Sequence, residues 1–232
     1  MQAQRRRLTL ALLALPLAGC AIQPLPGLRT EPAGAPPSPT PLRPAALGQR
    51  WVYRRYNVFN SALLGTEEHE VVAVGPRVQI RHRSEGRTDQ MEEWSSTGLL
   101  RDLAWDRVQN YDPALPLWPA NLQAGARSVH RGYYTLDDGS YRYWISQHTE
   151  VRGWETVPLA RGAMRALRIE HFVRVQHHDL RRLETTRRDT LWLAPETGRW
   201  IARETAGEYR SGSGPRGTAF EDKQRWELVD WR

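Results

Sequence analysis

The sequence is poor in the residues on which several classes of protein depend. Cys20 is the only cysteine and Lys223 the only lysine among the 232 residues. The single cysteine excludes an internal disulfide, and no S-x-x-K motif exists for Ser–Lys acyl chemistry. No G-x-S-x-G, H-E-x-x-H or G-x-x-x-x-G-K sequence is present, so the motifs of serine hydrolases, zinc proteases and phosphate-binding loops are missing. We therefore predict that the protein is not an enzyme, has no catalytic residues and binds no cofactor.

The composition is nevertheless that of a folded protein with a modest positive charge. Lys and Arg number 33 against 26 Asp and Glu, a formal net charge of +7. Three of the positive charges, Arg5 to Arg7, precede an apolar run, and removing residues 1–19 lowers the charge to about +4. Hydrophobic residues make up 40% of the chain, with ten Trp and eight Tyr, which excludes a wholly disordered chain.

The first twenty residues have the form of an export signal. Arg5 to Arg7 form a cationic region, Leu8 to Leu17 an apolar region, and Leu17-Ala18-Gly19-Cys20 ends it. This quartet resembles the lipobox of bacterial lipoprotein precursors. The resemblance implies a signal peptide over residues 1–19, acylation of Cys20 and anchoring in a membrane. Ala21 follows the cysteine where Asp favours inner-membrane retention, which implies the outer membrane with the body facing the periplasm. An ordinary secreted protein or a short anchor helix remains the alternative.

Residues 20–47 are predicted to be the lipidated cysteine and a tether. Eight of the sixteen prolines lie between Pro24 and Pro44. This composition favours an extended chain of about 3.1 Å per residue, which would hold a folded body away from the bilayer.

Residues 48–232 are predicted to form one β-rich periplasmic domain. Apolar and charged residues alternate in short runs separated by Gly, Asp and Asn. The predicted strands are 50–59, 67–74, 77–83, 88–94, 99–105, 127–135, 141–156, 166–177, 184–194, 199–209 and 224–231. We expect an all-β, mainly antiparallel fold, a strongly curved meander forming a half-barrel or barrel. At most one or two short helices are expected, one as a single turn near Pro158 to Met164.

Two stretches carry a family resemblance. Residues 154–169 read WETVPLARGAMRALRI and residues 190–201 read TLWLAPETGRWI. They resemble uncharacterised β-rich periplasmic proteins and lipoproteins of proteobacteria. Those proteins are distantly similar to LolA/LolB-type half-barrels, which hold lipid or lipoprotein acyl chains. The resemblance implies the fold and transfers no activity.

Histidine and carboxylate spacing gives little support for a metal or acid–base site. Adjacent side chains of a strand point to opposite faces, so His177 and His178 are not expected to share a metal ion. For the same reason Glu67-Glu68 and Glu92-Glu93 are interpreted more simply as residues of solvated strand faces than as paired acid–base groups. A cross-strand pair of His69 with His82 remains open. We predict no metal site.

Aromatic residues and arginines supply the candidate binding surfaces. The segment from Asp112 to Leu122 contains three prolines and is predicted to lie outside the sheet, covering a cavity or plugging the core. The candidate ligand-binding residues are Trp118, Leu115, Leu117, Trp144 and Trp154. The candidate docking patch is Arg181, Arg182, Arg187 and Arg188.

The leading functional hypothesis is an outer-membrane lipoprotein whose periplasmic β domain binds an apolar ligand, a lipid or acyl chain, as a carrier-like module. The alternative is a structural or assembly lipoprotein that docks on another envelope component through its surface. An envelope hydrolase ranks third. Export removes nucleic acid as a partner.

Overall fold

A computed structural model describes residues 28–37, 41–104, 107–139, 141–212 and 217–232. The predicted signal peptide, Cys20, Ala21 and the candidate strand residue Trp105 lie outside these ranges. The strands are β1 Glu31–Pro32, β2 Arg50–Asn57, β3 Leu63–Ala73, β4 Val78–Ser84, β5 Gln90–Ser95, β6 Gly98–Ala104, β7 Arg107–Leu115, β8 Arg127–Leu136, β9 Tyr143–Leu159, β10 Gly162–Val175, β11 Arg182–Ala194, β12 Arg199–Ser211, β13 Thr218–Phe220 and β14 Gln224–Trp231.

Twelve of these strands form a closed antiparallel barrel. From β2 to β12 each strand pairs with the next, β12 pairs with β14, and β14 pairs with β2 to close the circle. β1 adds to β9 and β13 to β12 outside this circle. The predicted all-β, antiparallel, barrel-like fold is confirmed, and closure leaves few free edges.

The predicted helical turn near Pro158 to Met164 is wrong. β9 continues to Leu159 and β10 begins at Gly162, so a tight hairpin joins them. Gly162 has φ of 117°, a conformation that glycine adopts without a side-chain clash. The one short helix among the described residues is a 3₁₀ turn over Pro195–Thr197.

The segment from Asp112 to Leu122 is only partly outside the sheet. Its first four residues end β7, a strand that the sequence did not predict. Pairing of β7 with β8 ends at Asp112, so Pro113 removes no N–H from that ladder. The remainder, from Pro116, is the connection to β8.

Alternating faces of the strands build the interior. On β9, Ile145 and Val151 are buried and Trp144 is exposed, as the alternation predicts. One apolar cluster includes Trp51, Tyr53, Ile80 and Ile201. A second includes Leu99, Leu115, Tyr134, Ile145 and Val173.

The two ends of the barrel differ. At the end that we call the closed end, the 3₁₀ turn accepts hydrogen bonds at Thr197 O from Gln49 Nε2 and Trp51 Nε1, both at 3.0 Å. Arg43 N also donates to Pro195 O at 2.9 Å. The opposite end, the mouth end, holds the β2–β3, β4–β5 and β10–β11 hairpins because alternate connections of an antiparallel barrel share an end.

Part of the Pro-rich segment lies against the barrel wall. Ala33 N donates to Trp154 O at 2.9 Å, and Leu28 N donates to Glu204 Oε1 at 2.8 Å. Leu28 and Leu42 also pack against the first apolar cluster.

Within the residues that the structure describes, no helix has the length and apolar character needed to cross a membrane.

Candidate functional site

The interior contains a cavity of about 440 Å³, the size of a small-molecule site. Residues of β2 to β6, β11, β12 and β14 line it, together with the β4–β5 connection and the segment from Phe220 to Asp222. Its lining is strongly charged, with seven Arg (Arg55, Arg83, Arg87, Arg182, Arg187, Arg199 and Arg203) against five acidic residues (Glu67, Glu92, Asp102, Glu221 and Asp222).

The inner end of the cavity is built on an ion pair between Arg199 and Glu92. Arg199 NH1 and NH2 donate to the two carboxylate oxygens of Glu92, each at 2.9 Å. The guanidinium carbon lies 5.2–5.4 Å from the ring centroids of Trp51, Trp94 and Trp200, so three aromatic faces enclose the cation. Both side chains are buried. The carboxylate raises the pKa of Arg199 against the opposing effect of burial, so the guanidinium is a permanent charge.

Two histidines stack beside this ion pair. The rings of His69 and His82 lie 3.7 Å apart and 3° from parallel, because these residues are cross-strand partners on β3 and β4. His82 Nε2 lies 2.9 Å from Glu92 Oε2. Arg199 NH2 lies 3.0 Å from His69 Nδ1, which accepts from the guanidinium. Burial, followed by the charge of His82, lowers the pKa of His69 to about 3, so its ring is neutral at physiological pH.

Asp102 of β6 brings a second buried carboxyl group close to Glu92. Burial, and next the negative charge of Glu92, raise the pKa of Asp102 to about 6. For Glu92 the cations dominate over burial, and its pKa lies well below the usual range. The two carboxyl groups therefore titrate far apart, and Asp102 is the group of the pair that changes charge near neutral pH.

A second carboxylate, Glu67, organises the cavity nearer its mouth. Arg55 NH1 lies 3.1 Å from Glu67 Oε1, and Trp226 Nε1 donates to Oε2 at 2.9 Å. Hydrogen bonding and nearby positive charge outweigh burial and lower the pKa of Glu67 to about 2. Burial lowers the pKa of Arg55, and the positive charge of Arg87 lowers it further. Two guanidinium groups therefore repel one another at the mouth.

Glu221 is shared in the same way by two arginines of β11. Arg187 Nε and NH2 donate to its oxygens at 2.6 and 2.7 Å, and Arg182 NH1 donates at 2.9 Å. Glu92, Glu67 and Glu221 thus each face at least two cationic or donor side chains. The outcome is a surplus of donors over acceptors in the cavity.

Two buried nitrogen atoms of the lining show that surplus directly. Arg55 Nε and Arg199 Nε have no hydrogen-bond acceptor among the described residues, and His69 Nε2 has Glu67 Oε2 only at 3.7 Å. A buried donor without an acceptor costs about 1–3 kcal/mol. A bound molecule that presents acceptor atoms would remove that cost.

The five predicted ligand-binding residues lie outside the cavity lining. Leu115 is buried and Leu117 half-buried in the second apolar cluster, and Trp154 packs against the first. Trp118 packs edge-on against Trp94 with ring centroids 5.7 Å apart. It lies on the β7–β8 connection at the closed end.

Trp144 belongs to a separate outer groove. The groove measures about 380 Å³ and also includes Tyr133 and Arg142. Trp144 and Tyr133 are exposed there, on the outer face of β8 and β9. The structure therefore does not bring Trp144 together with Trp118 or Trp154.

The four predicted docking arginines do not form one surface. Arg187 points into the barrel and is buried, whereas Arg188, the next residue of β11, is exposed. Arg182 is held by Glu221 and lies over the ring of Tyr209 at 4.6 Å. Only Arg181 and Arg188 of the four are exposed, because neighbours on a strand face opposite ways.

Among the described residues, His82, Glu92 and Asp102 form the arrangement nearest to a metal site. One candidate ligand atom from each lies within 4.8 Å of the others. However, both oxygens of Glu92 already accept from Arg199. A metal ion at this position would lie beside a permanent positive charge, so the arrangement favours an ion-pair network.

The sequence analysis did not predict the cavity residues, and it assigned Glu67 and Glu92 to solvated strand faces. The structure corrects this: Glu92 is buried and Glu67 is largely so. The alternation of the strands could have indicated this burial, because Glu92 lies two residues from Trp94 and Glu67 four residues from Val71, which places each glutamate on the same strand face as an apolar residue. The open pairing of His69 with His82 is present in the structure. Arg199 lies in the quoted TLWLAPETGRWI stretch without a motif that marks it.

No protein-family model matches the chain, and comparison with curated proteins finds no relative. Similar solved structures include a candidate lipoprotein from Parabacteroides distasonis, at 10% identity over 82% of this chain and 97% of that one, with a TM-score of 0.49. A candidate exported protein with a YmcC-like fold from Bacteroides fragilis shows 12% identity over 83% and 99%, with a TM-score of 0.47. The hypothetical lipoprotein YmcC of Escherichia coli shows 15% identity over 81% and 89%, with a TM-score of 0.44. Because these structural similarities are so distant, the function has to be argued from the residues of this chain.

Proposed function

We propose that this protein is a lipid-anchored binding protein of the cell envelope, whose barrel holds a small organic anion in the charged cavity. The anion carries a carboxylate or phosphate group and an apolar part. The role is binding, and no chemical step is assigned to the site.

The observation that carries the proposal is the surplus of buried donors. Arg55 Nε and Arg199 Nε line one cavity and have no acceptor among the described residues. Carboxylate and phosphate oxygens are the acceptors that guanidinium groups bind best. The repulsion between Arg55 and Arg87 at the mouth would also be relieved by a negative charge placed between them.

The cavity also has an apolar side that a bare inorganic ion would not use. Trp200, Trp226, Tyr209 and Phe220 lie in its lining. The sequence led us to expect an apolar ligand, a lipid or acyl chain. A ligand with no charged group would bury the arginines and leave their donors unsatisfied. An amphiphilic anion satisfies both sides of the cavity.

The placement in the envelope is supported by the N-terminal sequence. The lipobox-like quartet ending at Cys20 supports a lipid anchor, and Ala21 supports the outer membrane with the barrel in the periplasm. Several acyl chains on one cysteine would hold the protein stably on a bilayer.

Isothermal titration calorimetry tests the proposal with three probes that share an eight-carbon alkyl chain and differ in head group: octanoate, octyl phosphate and octanol. We expect at least one anion to bind roughly 10–100 times more tightly than octanol, the gain from one or two charge-assisted hydrogen bonds. Arg55→Met should abolish this preference. Arg77→Met is the matched control, because Arg77 follows β3 at the closed end and is not in the lining.

Equal binding of octanol and the anions, or an unchanged preference in Arg55→Met, would overturn the assignment of an anion site. A stronger response to octyl phosphate than to octanoate would identify the head group as phosphate, and the reverse order would identify a carboxylate.

A further inference from the structure

Large apolar side chains are exposed along one half of the mouth end. Phe220 of β13 is 72% exposed and Leu180 of the β10–β11 hairpin 76%. The complete set, which we call the apolar half-rim, is Phe59, Leu63, Leu64, Leu180, Leu183 and Phe220.

These side chains belong to adjoining strands. Leu183 of β11 pairs with Arg210 of β12, and Phe220 pairs with Glu208 of the same strand. Val58 N donates to Lys223 O at 2.9 Å, which joins the β2–β3 hairpin to the segment before β14. The half-rim is therefore one continuous arc over β11, β12, β13, β14, β2 and β3.

The rest of the mouth end is mainly charged, with Tyr141 of the β8–β9 connection as an exposed aromatic residue. Arg101 binds Asp137 with two hydrogen bonds of 2.5 Å, and Arg107 binds Asp138 at 3.0 Å, near the β6–β7 and β8–β9 connections. The β4–β5 connection contributes Arg87 and Asp89. An end of the barrel that is apolar on one side and charged on the other has the character of an interfacial membrane-binding surface.

The N-terminal segment reaches the wall below the half-rim. Leu28 N is held by Glu204 of β12, and β12 lies within the arc. Eight peptide units separate Leu28 from Cys20, which allow about 26 Å of extended chain. The seven residue steps of β12 from Glu204 to its end at Ser211 span about 23 Å. A lipid on Cys20 can therefore reach the plane of the half-rim.

We propose that the apolar half-rim inserts into the bilayer that holds the Cys20 acyl chains, so that the mouth of the cavity faces the lipid surface. Phe220 belongs both to the half-rim and to the cavity lining. The surface and the cavity are therefore continuous, and an amphiphilic anion could pass between bilayer and barrel. This inference rests on the lipid anchor of the proposed function.

Labelling of single cysteines on the lipidated full chain tests the inference, because acylated Cys20 offers no free thiol. Phe220→Cys and Leu180→Cys carry an environment-sensitive fluorophore, and the protein is anchored on phosphatidylethanolamine–phosphatidylglycerol vesicles. Val74→Cys is the control, because Val74 is also exposed but follows β3 at the closed end. We expect the labels at positions 220 and 180 to lie about 5–10 Å into the interface, quenched by lipid-borne nitroxides. The label at position 74 should be quenched only by aqueous iodide.

Each other result overturns the inference in a recognisable way. If the protein floats with the vesicles but all three labels are in water, the lipid anchor is present and the apolar half-rim does not contact the bilayer. Equal lipid quenching at positions 74 and 220 means that the barrel has no fixed orientation. Protein that does not float refutes the lipid anchor and, with it, the rim contact. Anion binding in the cavity is tested separately by the titration with octanoate, octyl phosphate and octanol.

Discussion

Replacing Arg199 by methionine should destabilise the barrel severely. The change keeps most of the aliphatic volume but removes both hydrogen bonds to Glu92, the one to His69 and the charge enclosed by three tryptophans. Glu92 would then remain buried near Asp102 without its strongest cation. Breaking a buried ion pair on one side costs about 3–5 kcal/mol. With an m-value of about 2 kcal/mol/M, the urea midpoint should fall by about 1.5–2.5 M.

Urea unfolding followed by tryptophan fluorescence measures this loss, because several tryptophans surround Arg199. Arg77→Met is the control: Arg77 makes one 3.4 Å contact with Glu93 and is largely exposed, so its loss should cost less than about 1 kcal/mol. Adding Glu92→Gln to Arg199→Met should recover at least about 1 kcal/mol relative to the sum of the single changes. A loss below about 1 kcal/mol for Arg199→Met, or strict additivity in the double variant, would refute the role given to the pair.

Three further changes separate the roles of other residues. Asp102→Asn should leave the free energy of unfolding unchanged at pH 3.5 and raise it above pH 7 by at most about 3 kcal/mol. The reason is that the pKa of Asp102 is about 6 in the folded protein, so ionisation of this carboxyl group destabilises the fold as the pH rises from 4 to 6. Unfolding curves at both pH values check this, and a gain at pH 3.5 would contradict it. Trp118→Ala should lower stability by about 2–4 kcal/mol through lost packing on Trp94 and leave probe affinity unchanged, whereas weaker probe binding would return Trp118 to the site. Arg187→Ala should destabilise the fold by more than about 2 kcal/mol, because Arg187 is buried against Glu221. Arg188→Ala should cost less than about 0.5 kcal/mol, because Arg188 is exposed. Equal losses of stability in thermal unfolding would argue against that difference.

Alternation along the strands made the fold class predictable. From Tyr143 to Arg152 the faces of β9 follow the pattern, with Ile145 and Val151 inside and Trp144 outside. Local turn signals also placed the hairpins near Gly86 and Gly198, both of which have positive φ. These features depend on neighbours in sequence, which is why a single sequence reveals them.

Closure of the barrel and the polarity of its interior could not be predicted in this way. Closure depends on pairing between β14 and β2, strands from opposite ends of the domain. The cavity depends on Arg199 meeting Glu92, 107 residues earlier in the chain. A charged residue at an alternating position predicts a solvated face by default, and only the closed circle shows that this face is the inside. The absence of a strand prediction for β7 has a local cause, because Pro113 disfavours a strand except where a ladder ends.

The most direct test of the central claim is native mass spectrometry of residues 21–232, exported to the periplasm behind a cleavable secretory signal that adds no acyl anchor and purified without detergent. Any bound molecule is then extracted under denaturing conditions. We predict a stoichiometric adduct that carries a carboxylate or phosphate group, fits a cavity of about 440 Å³ and is lost in Arg55→Met. A neutral lipid as the bound molecule, or an adduct retained unchanged by Arg55→Met, would contradict it.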